Sequence, residues 1–181
     1  MAALSPETVQ SLLIGTGETL CAVPLMSVVE TMRPMAIERL QGCPDFVAGL
    51  SVIRGVPTPV VVLSALLGLP GGTMAAPSMA AGDVRRFVTL RTGGQDDQGS
   101  VALAVDRVIG VRRLEARSLT TAPPLLAGMP MDVVGRLGTL DGALLMVLEA
   151  TRLLPATLLR TPAALPASGM PEPRATDVLP S

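Results

Sequence analysis

The sequence predicts a mainly β protein of the barrel or sandwich class, arranged as two similar small barrels in one domain. Three observations carry this. Short valine-rich apolar runs recur with glycine and proline turn signals between them. Asp141-Gly142 sits between two such runs, a strong short-range hairpin signal. The stretch from Val47-x-Gly49 through Arg54-Gly55 to Ala65-Leu66-Leu67 is echoed from Val133-Val134-Gly135 through Asp141-Gly142 to Arg152-Leu153-Leu154. Each stretch reads as strand, glycine turn, buried strand and short helix.

In chain order, Val9 to Ile14 is the first strand, Gly15 to Glu18 a turn, and Thr19 to Val23 the second strand. Pro24 fits the first position of a helix. Leu25, Val28, Val29 and Met32 follow at the spacing of a short amphipathic helix, and Pro34 ends it. On that helix Glu30 falls opposite the apolar stripe. Strands follow at Phe46 to Ile53 and Val56 to Val62, with a turn at Gly55. Leu63 to Leu67 is a helical turn capped by Gly68. Arg86 to Leu90, Ser100 to Val105 and Val108 to Leu114 read as further strands, with a glycine-rich turn carrying Asp96-Asp97 between the first two. Val133 to Leu140 and Ala143 to Leu148 form the Asp-Gly hairpin, and Glu149 to Leu154 a short terminal helix.

The expected organisation is an N-terminal segment at 1–8 and a folded part at 9–154. That part divides into 9–67, a charge-free Gly/Pro linker at 68–83, and 84–154. A tail at 155–181 with six prolines is expected to be disordered.

Composition excludes more than it suggests. The chain has 181 residues and net charge −1, with no lysine and no histidine. Nothing attracts nucleic acid or anionic lipid globally. An imidazole base, a histidine metal ligand, a Schiff-base lysine and a Walker-type phosphate loop are all unavailable. Ser5, Ser11 and Ser118 therefore have no partner for a hydrolase triad. Gly15-Thr16-Gly17 lacks the third glycine and the crossover of a dinucleotide fingerprint, so it reads as a hairpin turn. No basic or long apolar leader opens the chain. Cys21 and Cys43 read as reduced core thiols of a cytosolic protein. Gly55 to Gly82 is uncharged, but its prolines and glycines argue against a membrane helix. The ten methionines read mainly as core filler in a chain with two aromatics.

One charge stands out. Arg54 is the only ionisable side chain between Asp45 and Asp83. A guanidinium among strand-forming apolar residues must reach water or find acceptors. Two readings stand: a structural arginine satisfied by carbonyls or a carboxylate, and a recognition arginine at a surface. Glu30 is the natural bidentate acceptor, and its alternative is a solvated helix residue. Asp106 ends an apolar strand; it either stabilises a turn or contacts a partner.

These residues resemble the CheW-like domain family. Pro24-Leu25-Met26-Ser27-Val28-Val29-Glu30 is similar to the family's Pro-x-x-x-Val-x-Glu. Val47, Gly49, Arg54, Gly55, Pro59 and Val60 are similar to its Val-x-Gly-x-x-x-x-Arg-Gly-x-x-x-Pro-Val. Val105-Asp106-x-Val108 is similar to its second signature. Two positions depart from the pattern. Val52 stands where the family usually has an asparagine, and Val62 where it often has a polar residue. The resemblance spans roughly Val9 to Leu154. It implies two five-stranded, SH3-like barrel subdomains and a non-enzymatic cytoplasmic adaptor of receptor arrays, with no cofactor and no metal. Its implied partners are the cytoplasmic hairpins of chemoreceptors, in a groove near Val28, Glu30, Gly49, Arg54 and Gly55, and the regulatory domain of a CheA-type histidine kinase at the barrel ends. Pro24, Pro59, Val60, Asp106 and Val108 would be its structural signature. Related pathways, such as pilus motility or second-messenger control, and a small-molecule-binding module are the alternatives.

Overall fold

The computed structural model describes residues 8–70, 84–92, 99–121 and 133–153. The 1–7 segment, most of the 68–83 linker, the Asp96-Asp97 turn and the 155–181 tail lie outside the described residues.

Among the described residues, eleven strands form two sheets. β1 (Thr8–Thr16), β2 (Thr19–Pro24), β8 (Arg107–Glu115), β9 (Thr120–Thr121), β10 (Val134–Leu140) and β11 (Ala143–Leu148) make the first, in the order β8-β1-β2-β11-β10-β9. β3 (Val28–Met32), β4 (Val47–Ile53), β5 (Val56–Val62), β6 (Arg86–Arg91) and β7 (Ser100–Val105) make the second, in the order β3-β6-β7-β5-β4. A single turn of helix, α1 (Leu63–Leu66), follows β5, and Gly68 at φ 65° closes it. The mainly β expectation holds. The sheets are not assembled from the expected halves, because each draws strands from both sides of 68–83.

The internal echo is structural. Leaving β9 aside, both sheets repeat one pattern: an edge strand, an antiparallel pair, a parallel neighbour and an antiparallel hairpin partner. The parallel joins are β2–β11 and β7–β5. The hairpins turn at Arg54-Gly55 (φ 51° and 80°) and Asp141-Gly142 (φ 51° and 82°), the paired positive φ of a type I′ turn, whose twist suits the flanking strands. Counting from the turns, Gly49 corresponds to Arg136 and not to Gly135, so the sequence echo is one residue out at that point.

Three apolar clusters explain the layering. The largest lies between the sheets and joins Leu12, Ile14 and Val23 of the first to Val61, Val88 and Leu103 of the second. Leu13, Ala22, Leu145 and Val147 form a core on the first sheet's other face. Ile53, Val60, Phe87 and Ala104 do so on the second sheet's. Alternation of side chains lets each strand feed the shared core with one face and its own core with the other.

The expected helix from Leu25 to Met32 is not there. Leu25–Ser27 is one 3-10 turn, and Val28–Met32 is strand β3. Val28, Val29 and Thr31 are β-branched and stiff at χ1, which favours a pleated strand. Apolar spacing in so short a segment fits either period. Pro24 ends β2 rather than starting a helix. The terminal helix is a 3-10 turn at Ala150–Arg152, and β1 runs on through Thr16, leaving Gly17-Glu18 as the turn. The two-residue β9 and the 3-10 turn Ala116–Ser118 were not expected.

Candidate binding surface at the Glu30–Arg54 pair

β3 and β4 are the two edge strands of the second sheet, yet side chains associated with them meet. Arg54 leads the turn out of β4, and its Nε and Nη2 donate to Glu30 Oε1 and Oε2 at 2.7 and 2.6 Å. The fork geometry of a guanidinium matches both carboxylate oxygens at once. The sheet therefore curls until its margins approach, and the pair clasps them. The segment after β3 helps, because Glu38 and Leu50 exchange backbone hydrogen bonds at 2.8 and 2.9 Å.

Losing the expected helix also changes where Glu30 points. A bulge falls between Val28 and Glu30. Val28 lies opposite Leu90 and packs on the shared core, whereas Glu30 lies opposite Thr89, on the face that carries Phe87 and Met32. Glu30 does not point away from a core; it rims one. Its side chain is 22% exposed, while that of Arg54 is 78% exposed. The hydrogen bonds from Arg54, followed by its charge, hold the Glu30 carboxyl below its usual range and raise the guanidinium further. Val29, Val52 and Val56 stand about half exposed nearby in sequence and register. The surface thus offers a fixed ion pair, unused guanidinium N–H groups and exposed β-branched side chains.

The expected site residues divide by role. Glu30, Arg54 and the exposed Gly55 come together. Gly49 is buried with φ 140°, and a side chain there would run into the Glu38 backbone, so it serves the close approach of two chain segments. Val28 is half-buried against the shared core, as is Val108. Val60 is fully buried, and Pro59 pairs with Leu50.

Asp106 holds a turn. Its Oδ2 accepts from the Gly17 N–H at 2.6 Å and from Thr16 Oγ1 at 3.3 Å, while its own N–H donates to the Gly15 carbonyl at 3.1 Å. Arg107 escaped notice in the sequence. Its Nη1 donates to the Gly17 carbonyl at 2.8 Å, and its guanidinium lies over Gly15, where a Cβ would collide with it. The only available signal was adjacency to Asp106. A cavity of about 390 Å³ opens beside this turn, lined by Thr16, Thr19, Ser64, Phe87 and Asp106 among others.

Burial pushes the Cys21 thiol up to about 12. Among the described residues no helix is long and apolar enough to cross a membrane.

Two sheets of one topology, the second clasped at its margins by an Arg–Glu pair, define a mainly β protein built on a repeated unit. A profile described as the CheW-like domain matches residues 10–157, and the chain belongs to that family. A solved structure of the scaffolding protein TtCheW from Thermoanaerobacter tengcongensis shares the fold. It has a TM-score of 0.66 and 19% identity over 81% of this chain and 92% of that one. No curated protein sequence matches the chain.

Proposed function

We propose that the chain is a non-enzymatic adaptor that couples the cytoplasmic hairpins of chemoreceptors to a CheA-type histidine kinase in chemotaxis. The observation that supports this best is the bidentate Glu30–Arg54 pair beside exposed Val29 and Val52. Glu30 uses both oxygens on Arg54, while the guanidinium keeps donors facing solvent. A helical partner that supplies one acceptor among apolar side chains would complete it. The absence of histidine and lysine from the whole chain removes imidazole and amine bases, which supports a binding role.

The test is a reconstituted assembly of receptor hairpin, kinase and this chain. Arg54→Ala is expected to keep a wild-type circular dichroism spectrum while receptor co-sedimentation and receptor-dependent kinase activity fall. Unchanged coupling would remove Arg54 from the receptor surface. Additive Glu30→Ala and Arg54→Ala effects in a double-mutant cycle would show that the two do not act as a unit.

A further inference from the structure

We infer that the edge strand β8 is a second docking surface, one that takes an extended, acidic segment of a partner as an added strand. This rests on the comparison of the two sheets and not on the receptor proposal. Register fixes the correspondence. Glu30 lies opposite Thr89, Thr89 opposite Ala102, and Ala102 beside Val60. In the other sheet Gly110 lies opposite Leu13, Leu13 opposite Ala22, and Ala22 beside Val147. Val60 and Val147 each stand six residues past the first residue of their turns, Arg54 and Asp141. Both edge strands bulge at the matching step. Gly110 is therefore the counterpart of Glu30, and β8 that of β3.

The two edges differ in what covers them. At β3 the Arg54 side chain reaches over from the opposite margin. At β8 the glycine offers nothing to clasp, and the space beside it is open. β8 runs for nine residues as the outermost strand of its sheet. Ile109 and Val111 are 48% and 47% exposed. Arg112 and Arg113 are exposed and meet no acceptor among the described residues. The nearest carboxylate in sequence, Glu115, is taken by Arg117 at 2.8 Å.

A long edge presents unpaired backbone groups, which proteins blunt with bulges and charges or use for strand addition. Here the two charges without an acceptor among the described residues, Arg112 and Arg113, are of one sign. Successive strand residues point to opposite faces, so Arg112 and Arg113 offer a cation on each face. An incoming strand with two adjacent carboxylates meets both, and an apolar residue beside them covers Val111. A second copy of β8 carries the same two arginines and lacks the adjacent carboxylates that would meet both, so it matches this edge less well than an acidic strand.

The probe is a ten-residue peptide carrying Glu-Glu within a Val/Thr-rich extended sequence, with a Lys-Lys peptide of the same pattern as control. Both are titrated into the isotope-labelled full chain by NMR. The Glu-Glu peptide is expected to shift β8 amides and slow their hydrogen exchange, with affinity falling several-fold on raising salt or in Arg112→Glu/Arg113→Glu. The Lys-Lys peptide should bind far more weakly. Absent or equal binding, shifts centred on Glu30 and Arg54, or β8 outer-edge amides already protected in the free chain would overturn the inference. The last outcome would show that the chain covers its own edge.

Discussion

The two sheets place different residues on the same scaffold. At matching positions one carries Arg54 and Glu30, the other Asp141 and Gly110. The turns share their backbone, with φ of 51° at the first residue in both. Aspartate tolerates that left-handed conformation better than most residues, whereas arginine gains nothing from it locally. Arg54 is therefore kept for its side chain, which reaches Glu30, and Asp141 for its backbone. The lesson is that hairpin geometry belongs to the repeated fold, while the ion pair belongs to one sheet alone.

The comparison breaks most severely at Gly49, whose counterpart is Arg136. Gly49→Ala adds a Cβ against the Glu38 backbone at φ 140°, and should destabilise by about 3 kcal/mol. Gly142→Ala has a positive φ but open space, and should cost about 1–2 kcal/mol. Urea unfolding of both variants checks the order. Equal costs would mean that the Glu38–Leu50 pairing does not constrain the second sheet.

Asp106→Ala comes next. It strips the acceptor from the Gly17 N–H and Thr16 hydroxyl at the β1–β2 turn, and a charge-assisted hydrogen bond contributes about 1.5–3 kcal/mol. The expected readout is a lowered urea midpoint with an unchanged m-value. Receptor binding should survive, since this turn lies in the other sheet.

Arg54→Asp makes the first turn like the second. The Asp-Gly turn is at least as well suited to type I′ geometry, so the folded state should persist with little change in urea midpoint. The clasp would instead become two like charges, and receptor binding should be lost. A large drop in midpoint would show that the pair holds the sheet margins together rather than presenting a surface.

Most strands were legible because alternation and turn residues act locally. Val56–Val62, Ser100–Val105 and both hairpin turns stand where valine runs and Arg-Gly or Asp-Gly put them. The Leu25–Met32 segment was misread because five strand residues and two helical turns share an apolar spacing, and only the cross-strand partner Phe87 decides. Sheet membership was not legible, because parallel joins such as β2–β11 depend on contacts more than 100 residues apart. The Glu30–Arg54 pairing was legible only as a chemical preference, a bidentate carboxylate for a lone guanidinium; sequence distance did not select it, since Asp45 and Glu38 lie nearer to Arg54. The side of β3 that Glu30 occupies was not, because a bulge sets it.

The smallest effect is the most diagnostic of the clasp. Arg54 lowers the Glu30 pKa in the folded chain relative to the unfolded one. A depressed folded pKa means that the unfolded state takes up protons first as pH falls. Any stability from the pair is therefore fully present above the unfolded glutamate range, and it drains away as pH drops through the lower folded value. Arg54 is mostly exposed, so solvent screens the interaction and the amount is small. Glu30→Gln removes the titration while keeping the shape. The melting temperatures of wild type and Glu30→Gln should differ slightly at neutral pH, with wild type higher, and converge in acid. Added salt should shrink the neutral-pH difference as well. A difference independent of both pH and salt would mean that Glu30 acts through packing against Thr89 and not through its charge on Arg54.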